Sequence, residues 1–273
     1  MACSPHNAVR TLQQCTCNNS AVIPDIQQAT RARTAILTSF YVDDFLTSCE
    51  SVTEAVELAE NVDAILSAGQ CTLRKWHSND SQVMMRLSNE PSLSSYIFYS
   101  GEASILGLRL DALKDQLLFR VDICQRVEIP TKRCVLSEVA RLFDPTGLLS
   151  PVIVNGKIFI QRLWSAGLSW DSPLPEDLCR DWLNYRSQLP ELNQIRVEWW
   201  MGTIPRVQTS FHGFCDSSSH AYAAVIYAKT SNTNGSVRFT FLTARTKVAP
   251  LKTATIPRLD LRQCSFLHRH SRT

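Results

Sequence analysis

The sequence predicts an α+β protein, and three observations carry that prediction. Around residues 39–46 two short β-prone runs bracket an acidic pair and are followed by a capped segment of helical apolar spacing. From Ser137 to about Leu189 the spacing turns helical, broken only where proline and glycine intervene. From about Arg206 three further β-prone runs return, separated by polar turns. Strands and helices therefore come in blocks rather than in strict alternation, which suits α+β architecture.

Taken in order, the first stretch is the least patterned. Ala8-Val9-Arg10-Thr11-Leu12 starts helical and gives way to polar sequence up to about residue 36. Ser39-Phe40-Tyr41-Val42-Asp43-Asp44-Phe45-Leu46 then reads as a hairpin with carboxylates at its tip. Ser51-Val52-Thr53-Glu54 is a capping box, whose hydroxyl and carboxylate satisfy amides of a first helical turn. Behind it Val52, Ala55, Val56, Ala59, Val62 and Leu66 keep helical spacing, and Gly69 is placed to end the helix. Cys71 to Trp76 reads as a strand, as do Ile105 to Leu108 and Leu117 to Val121.

The helical block has its clearest amphipathic segments at Val152–Leu163 and Leu178–Leu189, with Trp164, Trp170 and Trp182 as packing anchors. Its breaks fall at Asp144-Pro145-Thr146-Gly147 and Ser172-Pro173-Leu174-Pro175. Next, Phe211 to Asp216 is a strand ending in a carboxylate, Ala221 to Ala228 a second and Val237 to Ala244 a third. The run Thr230 to Gly235 turns the chain between the last two.

Composition bounds the function without naming it. The 273 residues exceed one average domain, and 44% hydrophobic with 19% charged is globular. A formal charge of +3 neither demands nor excludes nucleic acid, because a binding channel can be basic on a nearly neutral protein. The ten cysteines are scattered without a C-x-x-C, which predicts reduced, mostly buried thiols in an intracellular protein, cytoplasmic or nuclear. His6 with Cys15 and Cys17 is read as incidental rather than as a metal site. No apolar run reaches membrane-spanning length and no signal region opens the chain, so secretion and a membrane partner are not expected.

The sharpest chemical feature is Tyr41-Val42-Asp43-Asp44. Nucleotidyl transfer by two Mg²⁺ needs carboxylates converging on ions about 4 Å apart. A tight hairpin can present one carboxylate to the metals and hold its neighbour beside it. An acidic pair alone is usually a solvated turn, but here apolar strand residues flank it and a capped helix follows.

Ser4-Pro5 with Ala8 to Gln13, Phe40 to Asp44, and Leu73-Arg74-Lys75-Trp76-His77-Ser78-Asn79 resemble successive late palm motifs of BEL/Pao retrotransposon reverse transcriptases. Leu106-Gly107-Leu108 is similar to the primer-grip turn, and Ser137 to Pro151 to the segment that follows in this family, sometimes labelled a Pao peptidase. Gly213 to Ser218, Val248 to Lys252 and Ile256 to Leu259 look like the opening of its RNase H domain. The resemblance covers nearly the whole chain in the family's order. It implies an α+β fold with a partial palm sheet and primer grip (1–125), a helical thumb- or connection-like region (126–200) and a truncated, mixed-sheet RNase H-like domain (201–273).

The implied ancestral activity is RNA-directed DNA synthesis with removal of RNA from the hybrid, using Mg²⁺, a template–primer, and other segments of the polyprotein as partners. Asp43 and Asp44 are the polymerase ligands that it assigns, and Asp216 and Asp260 the nuclease ligands; Lys75 and Gly107 fall at nucleic-acid-contacting positions. The palm carboxylate expected upstream is missing. Asp260 stands where the family shows Glu, and beyond it the tail departs from the expected alanine-rich helix. The chain is therefore expected to be a catalytically inactive remnant.

Rival readings are a non-catalytic nucleic-acid-binding module, or an aspartic peptidase relying on Asp144. The peptidase comparison is weakened by Pro145 inside the Asp-Thr-Gly pattern and by the lack of a second such loop. Lys75 also has the plain reading of a surface lysine beside a packing tryptophan. His268 and His270 lie in a basic tail, and Ser219-His220 lacks a triad.

Overall fold

The computed structural model describes residues 4–89, 101–105, 107–123, 129–200, 208–231, 235–252 and 254–261. The tail histidines and Leu106 lie outside them. The chain forms two compact units, residues 1–117 and 118–273. Their content is mixed α+β, as expected.

The first unit opens with helix α1 (Ser4–Asn19) and helix α2 (Ile26–Ser39). The second of these was not anticipated. Asp25 caps it, its carboxylate accepting from the amides of Gln27 and Gln28, and it buries Ala32, Ala35 and Ile36 on one stripe. The chain then turns through β1 (Phe40–Tyr41) and β2 (Asp44–Phe45) into α3 (Val52–Ala68). The capping box forms as read: the Ser51 hydroxyl accepts from the Glu54 amide, and the Glu54 carboxylate accepts from the Glu50 amide. Ala32, Ala35 and Ile36 meet Leu58, Val62, Ile65 and Leu66 of α3 in one core. The other side of α3, Val56 and Ala59, packs on Val83 and Leu87 of α4 (Ser81–Asn89).

Cys71 to Trp76 is not a strand. Residues 71–75 are irregular, and Gln70 and Lys75 both sit at φ +60, which breaks extended backbone. Gly69 does end α3, donating its amide to Leu66, but the left-handed step falls on Gln70 instead. The segment at 105–108 is likewise a hairpin: β3 (Glu102–Ile105) pairs antiparallel with β4 (Leu108–Asp111), with Ile105 opposite Leu108. A short strand β5 (Gln116–Leu118) closes this stretch.

The second unit contains α5 (Lys132–Ala140), α6 (Ser150–Ser165), α7 (Glu176–Gln188) and the short strand β6 (Arg196–Glu198). Val135, Val139, Phe159, Leu163 and Trp182 make one core; Leu142, Leu149, Ile153 and Leu189 belong to a second. A half-buried Arg186–Glu138 ion pair at 2.7 Å ties α7 to α5. Trp182 is the packing anchor expected. Trp164 and Trp170 are not: they remain 51% and 38% exposed, edge to face, with the Lys132 ammonium 3.6 Å from the Trp164 ring centre.

The unit ends in a sheet of β7 (Gln208–Ser217), β8 (Ala221–Ser231) and β9 (Val237–Val248), antiparallel throughout with β8 central. Alternate residues of β8, from Tyr222 to Thr230, are buried, while those between are half-buried. One face is thus covered, and α6 lies against β9. The described cysteines are free, but only half-buried or exposed rather than buried. No helix among the described residues is long and apolar enough to cross a membrane.

Candidate functional site

The Tyr-Val-Asp-Asp turn is built on two aromatic anchors. Phe40 and Phe45 face each other across the hairpin with ring centres 4.9 Å apart, and both pack on the α2–α3 core. That leaves Tyr41 to Asp44 at the tip, with Tyr41 opposite Asp44. Tyr41 and Asp43 are exposed and Asp44 half-buried. The two-residue turn requires Val42 at φ +60. A β-branched residue rarely adopts that conformation, which stores on the order of 1–3 kcal/mol of strain. Nothing in the sequence signalled this, since a valine argues for extended backbone.

Lys75 is exposed in the irregular segment after α3, and its charge, after burial, helps to hold His77 below the usual imidazole range. Gly107 stands at φ +78 in the β3–β4 turn, where a glycine is favoured.

In the second unit Asp216 is exposed near the end of β7, directly opposite Ala223, and its carboxylate accepts from the Ser217 amide at 2.8 Å. Asp260 lies in a helical turn at residues 256–261, half-buried. Its neighbour Leu259 is buried against Tyr222 and Ala249, at the same end of the sheet as Asp216. The register places Tyr222 and Asp216 on opposite faces, because side chains alternate along a strand. Among the described residues no three His, Cys, Asp or Glu side chains gather as a metal ion would require.

A family model described as the Pao retrotransposon-like RNaseH-like domain matches residues 131–273, which is 143 of the 273 residues. The chain belongs to this family. No curated protein matches it.

The Pao RNaseH-like match begins at Thr131, the residue whose hydroxyl caps α5 by accepting from the Cys134 amide. Helices α5 to α7 are therefore part of the matched region together with the sheet. The link between them is the Asp144-Pro145-Thr146-Gly147 turn. The Asp144 carboxylate accepts from the amides of Gly147, Leu148 and Leu149 at 3.0, 2.9 and 2.8 Å. Burial pushes this carboxyl above the usual range, opposed by the same amides. The Thr146 carbonyl accepts from the Ala244 amide and the Thr243 hydroxyl on β9, at 2.8 and 3.0 Å. Gly147, at φ +83, sits so close that a Cβ would lie 1.9 Å from the Ala244 oxygen. Farther along, the Gln161 amide donates to the Ala249 carbonyl at 2.7 Å. The sequence marked this turn only as a break; its service as a clasp onto β9 depends on a partner about a hundred residues away.

Proposed function

We propose that this chain is a piece of a Pao-type retrotransposon polyprotein in which two ancestral catalytic sites survive in part. Residues 40–45 descend from the metal-binding turn of an RNA-directed DNA polymerase. Residues 208–261 descend from the opening strands of an RNase H that cleaves RNA in a hybrid. The observation that carries the reading is Asp216 near the end of the first strand of the family-matched sheet, the position to which the family resemblance assigns a metal ligand.

Mg²⁺ would supply the charge that clamps attacking and leaving oxygens, and Asp43, Asp44, Asp216 and Asp260 are the residues of this chain that the resemblance assigns to it. Among the described residues neither pair is joined by further metal-ligating side chains, and two ions require a larger carboxylate set. A missing ligand leaves an ion weakly held and misplaced, which costs orders of magnitude in rate. The chain by itself is therefore proposed to be inactive, acting inside the cell on a template–primer only with other polyprotein segments.

The experiment is primer extension on poly-A/oligo-dT and cleavage of an RNA–DNA hybrid, each with Mg²⁺ and with Mn²⁺. No turnover is expected. Extension abolished by Asp43→Asn, or cleavage abolished by Asp216→Asn, would overturn the inactivity while supporting the assigned sites.

A nucleic-acid-binding role without catalysis is the second reading, favoured by an aromatic row on the sheet in which Phe214 is exposed and Tyr227 and Phe241 are half-buried. Phe214 and Tyr227 stand 6.2 Å apart, and Tyr227 and Phe241 6.0 Å, all edge to face. Bases stack on such surfaces. Affinity for a hybrid that falls steeply with salt supports it, and salt-independent or absent binding removes it. The peptidase reading fares worse, since the Asp144 carboxylate is taken up by three backbone amides.

A further inference from the structure

Helix α1 has Thr16 as its single buried residue, and Leu12 and Cys15 pack against the α2–α3 core. Beside Thr16, Cys15 points at the end of α3. Its sulfur lies so close to Gly69 that a Cβ there would be 2.1 Å away, and it donates to the Ile65 carbonyl at 4.0 Å. Cys71, two residues beyond Gly69, turns back so that its thiol donates to the Gly69 carbonyl at 3.7 Å. The two thiols thus share one glycine as their seat and interact with each other. Both are free and half-buried, so a small oxidant can reach them. The Asn19 amide nitrogen donates to the Cys15 sulfur at 3.6 Å. Cys71 is held above the usual thiol range by burial first and by Cys15 second, so it keeps its proton until attack.

We propose that Cys15 and Cys71 are a reversible dithiol–disulfide pair that locks α1 onto the C-terminal end of α3 under oxidising conditions.

The oxidant is a small disulfide such as oxidised glutathione. The Cys15 thiolate attacks one of its sulfurs, forming a mixed disulfide and expelling one glutathione thiolate. Cys71 then loses its proton to solvent and attacks the Cys15 sulfur, expelling the second glutathione. Two protein thiols are oxidised to one disulfide, and one oxidised glutathione is reduced to two thiols. The absence of a side chain at Gly69 makes room for this. Cys17 has a different setting, with its sulfur near the Arg33 guanidinium at 3.9 Å.

The test is incubation of the full chain with oxidised glutathione, alkylation of remaining thiols and peptide mapping without reductant. A dominant peptide joining Cys15 to Cys71 is expected, with the melting temperature raised by several degrees and returned by dithiothreitol. The Cys71→Ser variant should instead trap glutathione on Cys15. Stable glutathione on Cys15 of the unmodified chain, or cross-links spread evenly over other cysteines, would overturn the proposal. Mapping the unmodified chain keeps the test valid even if a serine variant fails to fold.

Discussion

The β1–β2 turn of the first unit and the 144–147 turn of the second both carry aspartates, and they spend their carboxylates in opposite ways. At the β1–β2 turn the backbone is strained at Val42, while Asp43 stands exposed to solvent. At the 144–147 turn the backbone strain falls on a glycine, and the Asp144 carboxylate is surrounded by three amides. A carboxylate already saturated by backbone donors organises structure and has little left for a ligand. An exposed one on a strained turn contributes little to stability and remains open to chemistry. The difference teaches that an acidic turn must be judged by what its oxygens accept, not by its composition.

The comparison breaks most easily through the carboxylates themselves. Asp144→Ala orphans three amides in a half-buried turn and should cost about 3 kcal/mol, read as a lower urea midpoint by tryptophan fluorescence. Asp43→Ala should change stability by less than ~0.5 kcal/mol. Equal effects would end the distinction. Gly147→Ala comes next. Its methyl would collide with the Ala244 carbonyl in a left-handed conformation, for a loss of about 2 kcal/mol. Retained stability there would mean that the clasp onto β9 is dispensable.

Val42→Gly sharpens the other side. Relief of strain outweighs the extra freedom of glycine in the unfolded chain, so a gain of about 1 kcal/mol is expected in hydrogen-exchange protection of α3. The smallest effect concerns a third carboxylate. Asp63 is buried on α3 with, among the described residues, the Ser67 hydroxyl at 3.4 Å for a partner, and burial raises its pKa. A raised folded value means the proton is bound more tightly in the folded state. Its stabilising contribution is therefore full below the ordinary carboxylate range and is lost as pH rises through the elevated value. Asp63→Asn should flatten this pH dependence in urea titrations just above the ordinary range. An unchanged slope would show that Asp63 is solvated.

The comparison also separates what was legible. The capping box at Ser51–Glu54, the hairpin around Asp43 and Asp44, and the three strands from 208 to 248 follow from local rules. Their signals (an acceptor three residues before a donor, apolar residues flanking a turn, alternation broken by Asn-Gly) lie within a few residues of each other. Helix α2 was lost among polar residues because its buried stripe of Ala32, Ala35 and Ile36 is small, although Asp25 marked its start. The supposed strand at 71–76 failed because Lys75 takes a left-handed conformation that its residue type does not announce. Only the tertiary structure decided that the Asp144 turn grips β9, that Lys132 lies over Trp164, and that Cys15 and Cys71 share Gly69. Each joins residues between thirty and a hundred positions apart, and sequence periodicity carries no information about which distant surfaces meet.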